Sequence, residues 1–246
     1  MDNAQLVGHS RLHVLQQQLD VLANNIANAA TTGFKGRGMQ FGEYLMPQAK
    51  TNAYRGDARS ISFVVDRGAA LDFTDGPLER TGNSNDIALR GSTLLAVKTK
   101  AGERYTRNGS LATNDKGEIV TSDGHVVLGA GGPIIADPAD GPLEITTDGT
   151  VSNRSGPVGK LKLVDVPDPS QLTNIGANLF SASKPLSASK TPEIVVGALE
   201  KSNVQPVLAM SRLLEVTRAY SALANAMQRL GDTQKGALER LATVPS

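Results

Sequence analysis

His9 and His13 stand four residues apart in HSRLH, a spacing that puts two imidazoles on one helix face as a possible metal pair. A zinc-protease pentad would carry Glu at its second position, where this chain has Ser10, and no third ligand stands near in sequence. GFKGRG (33–38) has its glycines at the wrong offsets for a dinucleotide loop, and it follows a helical pattern instead of opening one. GAGG (129–132) follows a strand-like VVL but runs into PIIADP, which cannot start a phosphate-cradling helix, so it reads as a turn. Asp137 and Asp140 lack the acidic ladder and terminal Glu of a calcium loop. Glu103, Asp115, Glu118 and Asp123 fall in hairpin positions, where carboxylates are normally solvated. With no cysteine, thiol catalysis, disulfides and thiolate metal sites are excluded. The expectation is no catalytic residue, no metal and no cofactor.

The elements around these residues carry a clearer signal. Leu12, Leu15, Leu19, Leu22 and Ile26 recur at spacings of 3, 4, 3 and 4, the seam of a heptad helix. Between Ala4 and Ala30 the only formal charges are Arg11 and Asp20; Gln, Asn and Ala fill the rest. Solvated helix faces carry Lys and Glu, so this surface is suited to being covered. The C-terminal stretch repeats the rhythm in Ala209, Leu213, Val216, Tyr220, Leu223, Met227 and Leu230, and more weakly in Gln234, Ala237, Leu241 and Val244. Ala219–Gln228 is again uncharged. Ser202 and Asn203 offer capping chemistry, Pro206 suits a first helical turn, and Gly231 and Gly236 should loosen the last turns.

The middle differs: residues 46–199 hold 18 of the 25 glycines and 10 of the 12 prolines. Short runs such as TLLAVKT, GEIVT, HVVLG and GKLKLVDV alternate with turn signals, and NDKG, SDGH and TDGT read as hairpin turns. The expected fold class is α+β, mainly β: a discontinuous coiled-coil domain of terminal helices plus a central all-β domain. Its expected parts are the helices within 1–36 and 203–246, an extended linker or arm at 37–80, and the β domain at 81–202. Five buried seam residues contribute roughly 8–15 kcal/mol at about 1.5–3 kcal/mol each. Ordering some 25 residues costs more, at about 1–2 kcal/mol per residue. The terminal helices should therefore need each other and neighbouring chains, and be frayed in an isolated monomer.

Net charge is +1, which supplies no field for nucleic acid or an anionic membrane. No stretch reaches the roughly 18 apolar residues of a membrane span. The N-terminus lacks the basic and apolar regions of a secretory signal, so the expectation is a cytoplasmic chain or one that leaves by a route without a cleaved leader. Protein–protein assembly is what remains. Two other readings stay open: a glycan- or receptor-binding β module on a helical stalk, and an enzyme whose acids or histidines converge in an unseen cleft.

ANNIANAATTGFK (23–35) resembles the signature of the flagellar axial proteins, the rod and hook family. The motif positions are Asn24, Asn25, Ala27, Asn28, Thr32, Gly33, Phe34 and Lys35. The resemblance continues in NDIALRG (85–91), YTRNGSL (105–111), GEIVTSDGHVVLG (117–129), LEKSNVQPVLAM (199–210) and TRAY (217–220). It is weakest over 37–80 and 165–195. The run Ser202, Asn203, Val204, Pro206, Met210, with VGKLKLV (158–164), is most like the proximal rod members, with the distal members as the alternative. Ser221 departs from the family, which commonly has Glu there.

The resemblance implies a rod subunit whose helices pair antiparallel and line a tube around an export channel, with the β domain facing outward. Leu12, Leu15, Leu19, Leu22 and Ile26, and Leu213, Val216, Tyr220, Leu223, Met227 and Leu230, would be its assembly interface. Asn24, Asn25 and Asn28 would be uncharged polar contacts inside a dense helical shell, Gly33 the helix stop, and Phe34 would pack the chain's exit into the arm. Implied partners are copies of itself, other proximal and distal rod proteins, and the flagellar type III export apparatus in transit. No nucleic acid, membrane insertion or small-molecule substrate is expected. The implied location is the basal-body rod in the periplasmic space.

Overall fold

The N-terminal heptad pattern forms one helix, α1 (Asn3–Ala27), and the C-terminal pattern forms another, α2 (Pro206–Ala242). The computed structural model describes residues 3–46, 61–137, 140–176 and 178–242. Pro206 opens α2 at the first-turn position, where its missing N–H would have had no partner in the helix. Gly231 and Gly236 do not end α2. Each costs only about 1 kcal/mol relative to Ala, which the flanking Arg, Leu, Gln and Lys helix formers outweigh.

The described residues within 37–80 hold strands where the expectation was an extended linker or arm. Arg37–Met46 and Ile61–Leu71 are long strands paired with each other, and Leu78–Arg80 pairs antiparallel with Ala198–Glu200. Gly38 and Gly42 break the apolar alternation of the first strand, so its sequence reads weaker than its pairing. The intervening residues 47–60 lie outside the described residues.

In the middle of the chain the strand Thr93–Thr99 is the centre of a ten-stranded sheet. It pairs antiparallel with Gly102–Thr106 on one side, and with Val126–Gly129 and Leu163–Asp165 on the other. Leu95 and Val97 enter one apolar cluster, with Ile87, Ile119 and Val151; Leu94 and Ala96 enter a second, with Val164 and Phe180. A strand buried on both faces reads as the continuous run LLAV instead of an alternation. NDKG, SDGH and TDGT are the hairpin turns joining Leu111–Thr113 to Ile119–Thr121, Ile119–Thr121 to Val126–Gly129, and Glu144–Ile145 to Thr150–Asn153.

The chain divides into two compact units. One contains the described residues within 1–26, 37–70 and 206–246; the other contains 27–36 and those within 71–205. This differs from the expected boundaries. The motif segment 27–36 belongs with the β unit instead of with α1, and 37–70 belongs with the helices.

Candidate functional site: helix seams and a buried charged junction

Within the helical unit, the start of α1 meets the far end of α2. Gln5 Nε2 donates to Gln234 Oε1 at 2.7 Å, and the Met227 thioether lies against Gly8, so that it would have to shift to admit a Cβ there. The helices are therefore antiparallel. Leu12, Leu15, Leu19, Leu22 and Ile26 are each half-buried. On α2, Val216 and Ala209 are buried, and Leu213, Tyr220, Leu223, Met227 and Leu230 are half-buried, with most residues between them exposed. The side chains of Ala237 and Leu241, and Val244 altogether, lie outside the described residues.

A second row on α1 was missed in the sequence. Val14 is buried and Val7 and Val21 half-buried, seven residues apart, so α1 is covered on more than its leucine seam. On α2 an opposite stripe is left open: Val207 (80% exposed), Met210 (52%) and Leu214 (60%) follow one another at 3 and 4 residues, with Leu208 beside them. His9 and His13 are exposed on α1, and no cluster of three metal-ligating side chains occurs among the described residues.

The motif residues are placed differently from expectation. Asn25 is 8% exposed; its Nδ2 donates to the Arg37 carbonyl at 2.8 Å and its Oδ1 accepts from the Arg37 amide at 3.0 Å. Its side chain thus fastens the end of α1 to the start of the first strand within the chain, so it is not free for a neighbour. Asn24 is exposed. Asn28 accepts from the Thr31 amide with its carbonyl and from the Thr31 hydroxyl with Oδ1. That turn, after Ala27, is where the helix stops; Gly33 lies beyond it and is not the stop.

Gly33 belongs to the β unit. Its φ is +67°, its amide donates to the Glu200 carbonyl at 2.7 Å, and a Cβ would stand 2.6 Å from the Arg107 carbonyl carbon and oxygen. Only glycine fits a left-handed backbone pressed against another main chain. Thr32, half-buried, accepts through its carbonyl from Asn178 Nδ2. Phe34 is 4% exposed.

Lys35 is buried to 1% exposure. Its Nζ donates to Glu200 Oε1 at 2.7 Å and to the Thr74 carbonyl at 2.7 Å. Glu200 Oε1 also accepts from the Gly76 amide, and Oε2 accepts from Arg107 Nε at 2.6 Å. Arg107, fully buried, donates further to the Gly91 and Thr93 carbonyls and to Asp75 Oδ1 at 2.8 Å. Two cations and two carboxylates, three of them shielded from water, thus form a neutral, densely hydrogen-bonded cluster. Burial pushes the Lys35 ammonium below its ordinary value; the hydrogen bond to Glu200 opposes this and the Arg107 charge adds to it.

Asn203 closes the junction. Its Oδ1 accepts from the Gly36 amide at 2.8 Å, and its Nδ2 donates to the Asp72 carbonyl at 2.9 Å and the Thr74 carbonyl at 3.2 Å. Ser202 Oγ accepts from the Val204 amide. Neither residue caps α2, because both side chains are spent before Pro206 is reached. Val204 is half-buried. Of the carboxylates noted in the sequence, Glu103 pairs with Lys162, Glu118 accepts from Asn114, Asp123 accepts from Asn108, and Asp140 accepts from Asn153 and Ser155.

Arg107, Glu200 and Asp75 were not singled out in the sequence. Lys35 and Glu200 are 165 residues apart, so no periodicity links them. The available signal was that three motif segments, GFK, YTRNGSL and LEKSNV, each contribute a member.

Three family profiles match this chain: "Flagella basal body rod protein" over residues 6–35, "Flagellar hook protein FlgE/F/G D1 domain" over 88–153, and "Flagellar basal body rod FlgEFG protein C-terminal" over 195–240. Among curated proteins, a flagellar basal-body rod protein FlgF of Caulobacter vibrioides is 40% identical, covering 99% of this chain and 100% of that one. FlgF of Escherichia coli is 32% identical over 89% and 90% of the two chains, and FlgG of Agrobacterium fabrum 31% over 83% and 86%.

Proposed function

Since this chain belongs to the FlgF-like flagellar basal-body rod proteins and is a structural subunit of the proximal rod, we propose that it polymerises through its terminal helices around the export channel, so linking motor to hook. The observation that carries this reading is the state of α2. Its seam is occupied within the chain, while Val207, Leu208, Met210 and Leu214 stay exposed on another face and Ala219–Gln228 carries no charge. Covering such side chains contributes about 1.5–3 kcal/mol each, and a neighbouring subunit is what would cover them.

The chain acts by assembly, without a catalytic step. Its partners are copies of itself and other rod proteins, FlgG-like subunits among them. It reaches its periplasmic position through the flagellar export apparatus, and its helices order fully only on capture at the growing rod. The β unit, 71–205 with the motif segment, faces adjacent protomers, and the helices form the assembly domain.

The test is incorporation. In purified hook–basal bodies, quantitative mass spectrometry should find this chain as a minor rod component, and Leu19→Asp or Leu223→Asp should remove it while the β unit stays folded. Normal incorporation of both variants overturns assembly through the terminal helices.

A further inference from the structure

Neither apolar cluster of the β unit contains a residue from 27–36. The segment is held there by a small set of polar contacts, most of them made by residues 200–203, with the Thr74 carbonyl, the Asp72 amide and the Asn178 side chain supplying the others. The Gly33 amide binds the Glu200 carbonyl, Lys35 binds the Glu200 carboxylate, the Gly36 amide binds Asn203 Oδ1, and the Asn203 amide reaches the Phe34 carbonyl. Phe34 and Lys35 are adjacent and both buried, so the apolar side chain can be covered only if the ammonium beside it is neutralised. The carboxylate that neutralises it arrives 165 residues later.

We propose that Gly33–Gly36 is a completion latch: it stays off the β unit until Glu200 and Asn203 are in place, and those two residues close it. The chain's first motif is thereby set only when nearly the whole β unit has been laid down. Without Glu200 the segment would bury an unpaired cation next to Arg107, and it would stay undocked. Without Asn203 no charge is stranded, yet Gly36 loses its acceptor and the segment leaving the strand Ile61–Leu71 at Asp72 loses its tie to 203. The latch is a property of the single chain, so it can fail while the rod reading stands, and the reverse.

Trypsin reads the latch directly, because Lys35 is itself a cleavage site that docking hides. Limited digestion of the full-length chain, with fragments identified by mass spectrometry, compares wild type, Glu200→Gln and Asn203→Ala. The control is Glu79→Gln, which removes only the exposed pair with Lys201. Cleavage after Lys35 should be at least tenfold faster in Glu200→Gln and clearly faster in Asn203→Ala, with the strand signal in circular dichroism retained and the control unchanged. Should Glu200→Gln lose the strand signal, Asn203→Ala decides. Folded variants cleaved after Lys35 no faster than wild type would overturn the latch. So would wild type cut there as readily as after the exposed Lys116.

Discussion

At the scale of single residues, the charged junction makes its members unequal. Removing Glu200 strands Lys35 beside Arg107, and Glu200→Gln should cost about 3–5 kcal/mol in urea denaturation of the full chain. Removing Lys35 leaves Glu200 paired with Arg107 and the Gly76 amide. Lys35→Met should therefore cost less, within the about 0.5–3 kcal/mol of ordinary substitutions. Equal losses would mean that the cluster does not share its charges as the geometry indicates. Lys35 also sets a pH slope. Its folded value is lowered, so between that value and 10.5 the unfolded chain holds a proton that the folded chain has released. Stability gains a rising contribution with pH across that window, and Lys35→Met should lack it. Wild type and variant with parallel stability curves up to pH 10.5 would refute this. Lys35 stood plainly in the motif, but its partner did not: spacing rules reach a few residues along a helix or across a turn, not from 35 to 200. The same holds for Gly33, which looked like a helix stop because glycine usually is one, and proved to be the point where two main chains touch.

At the scale of elements, the terminal helices were legible because a 3–4 rhythm of leucines has only one regular structure that puts it on one side. The hairpins at NDKG, SDGH and TDGT were legible because the turn chemistry sits at the turn. Arg37–Met46 and Ile61–Leu71 were not, since no short Gly-containing turn joins them and Gly38 and Gly42 interrupt the first. Val7, Val14 and Val21 were overlooked for a different reason: a heptad of β-branched residues was outshone by five leucine-type positions on the neighbouring row. The open stripe on α2 gives a separable prediction. Val207→Asp or Met210→Asp should leave monomer stability within about 0.5 kcal/mol, as exposed substitutions do, yet reduce incorporation into basal bodies. Leu223→Asp should damage both. If the stripe variants assemble normally, that face is not covered by a neighbour.

At the scale of the whole molecule, the two compact units do not follow the order of the sequence, because hydrogen bonds and buried charge, more than proximity along the chain, decide where 27–36 belongs. Hydrogen exchange should show it. The Gly33 amide, bonded to the Glu200 carbonyl, should exchange with the amides of Leu199 and Lys201 and not with those of α1 six residues away; exchange in step with α1 would contradict the division. The interleaving also bears on how such proteins can be recombined. A chimera that swaps only 71–205 between relatives splits a cooperative unit, pairing a foreign Glu200 and Asn203 with the resident Gly33–Gly36. A graft that carries 27–36 along with 71–205 while leaving 37–70 behind exchanges the unit whole. In this chain the natural cassette is two pieces with a gap, and crossovers placed at its uninterrupted-looking edges would fall inside it.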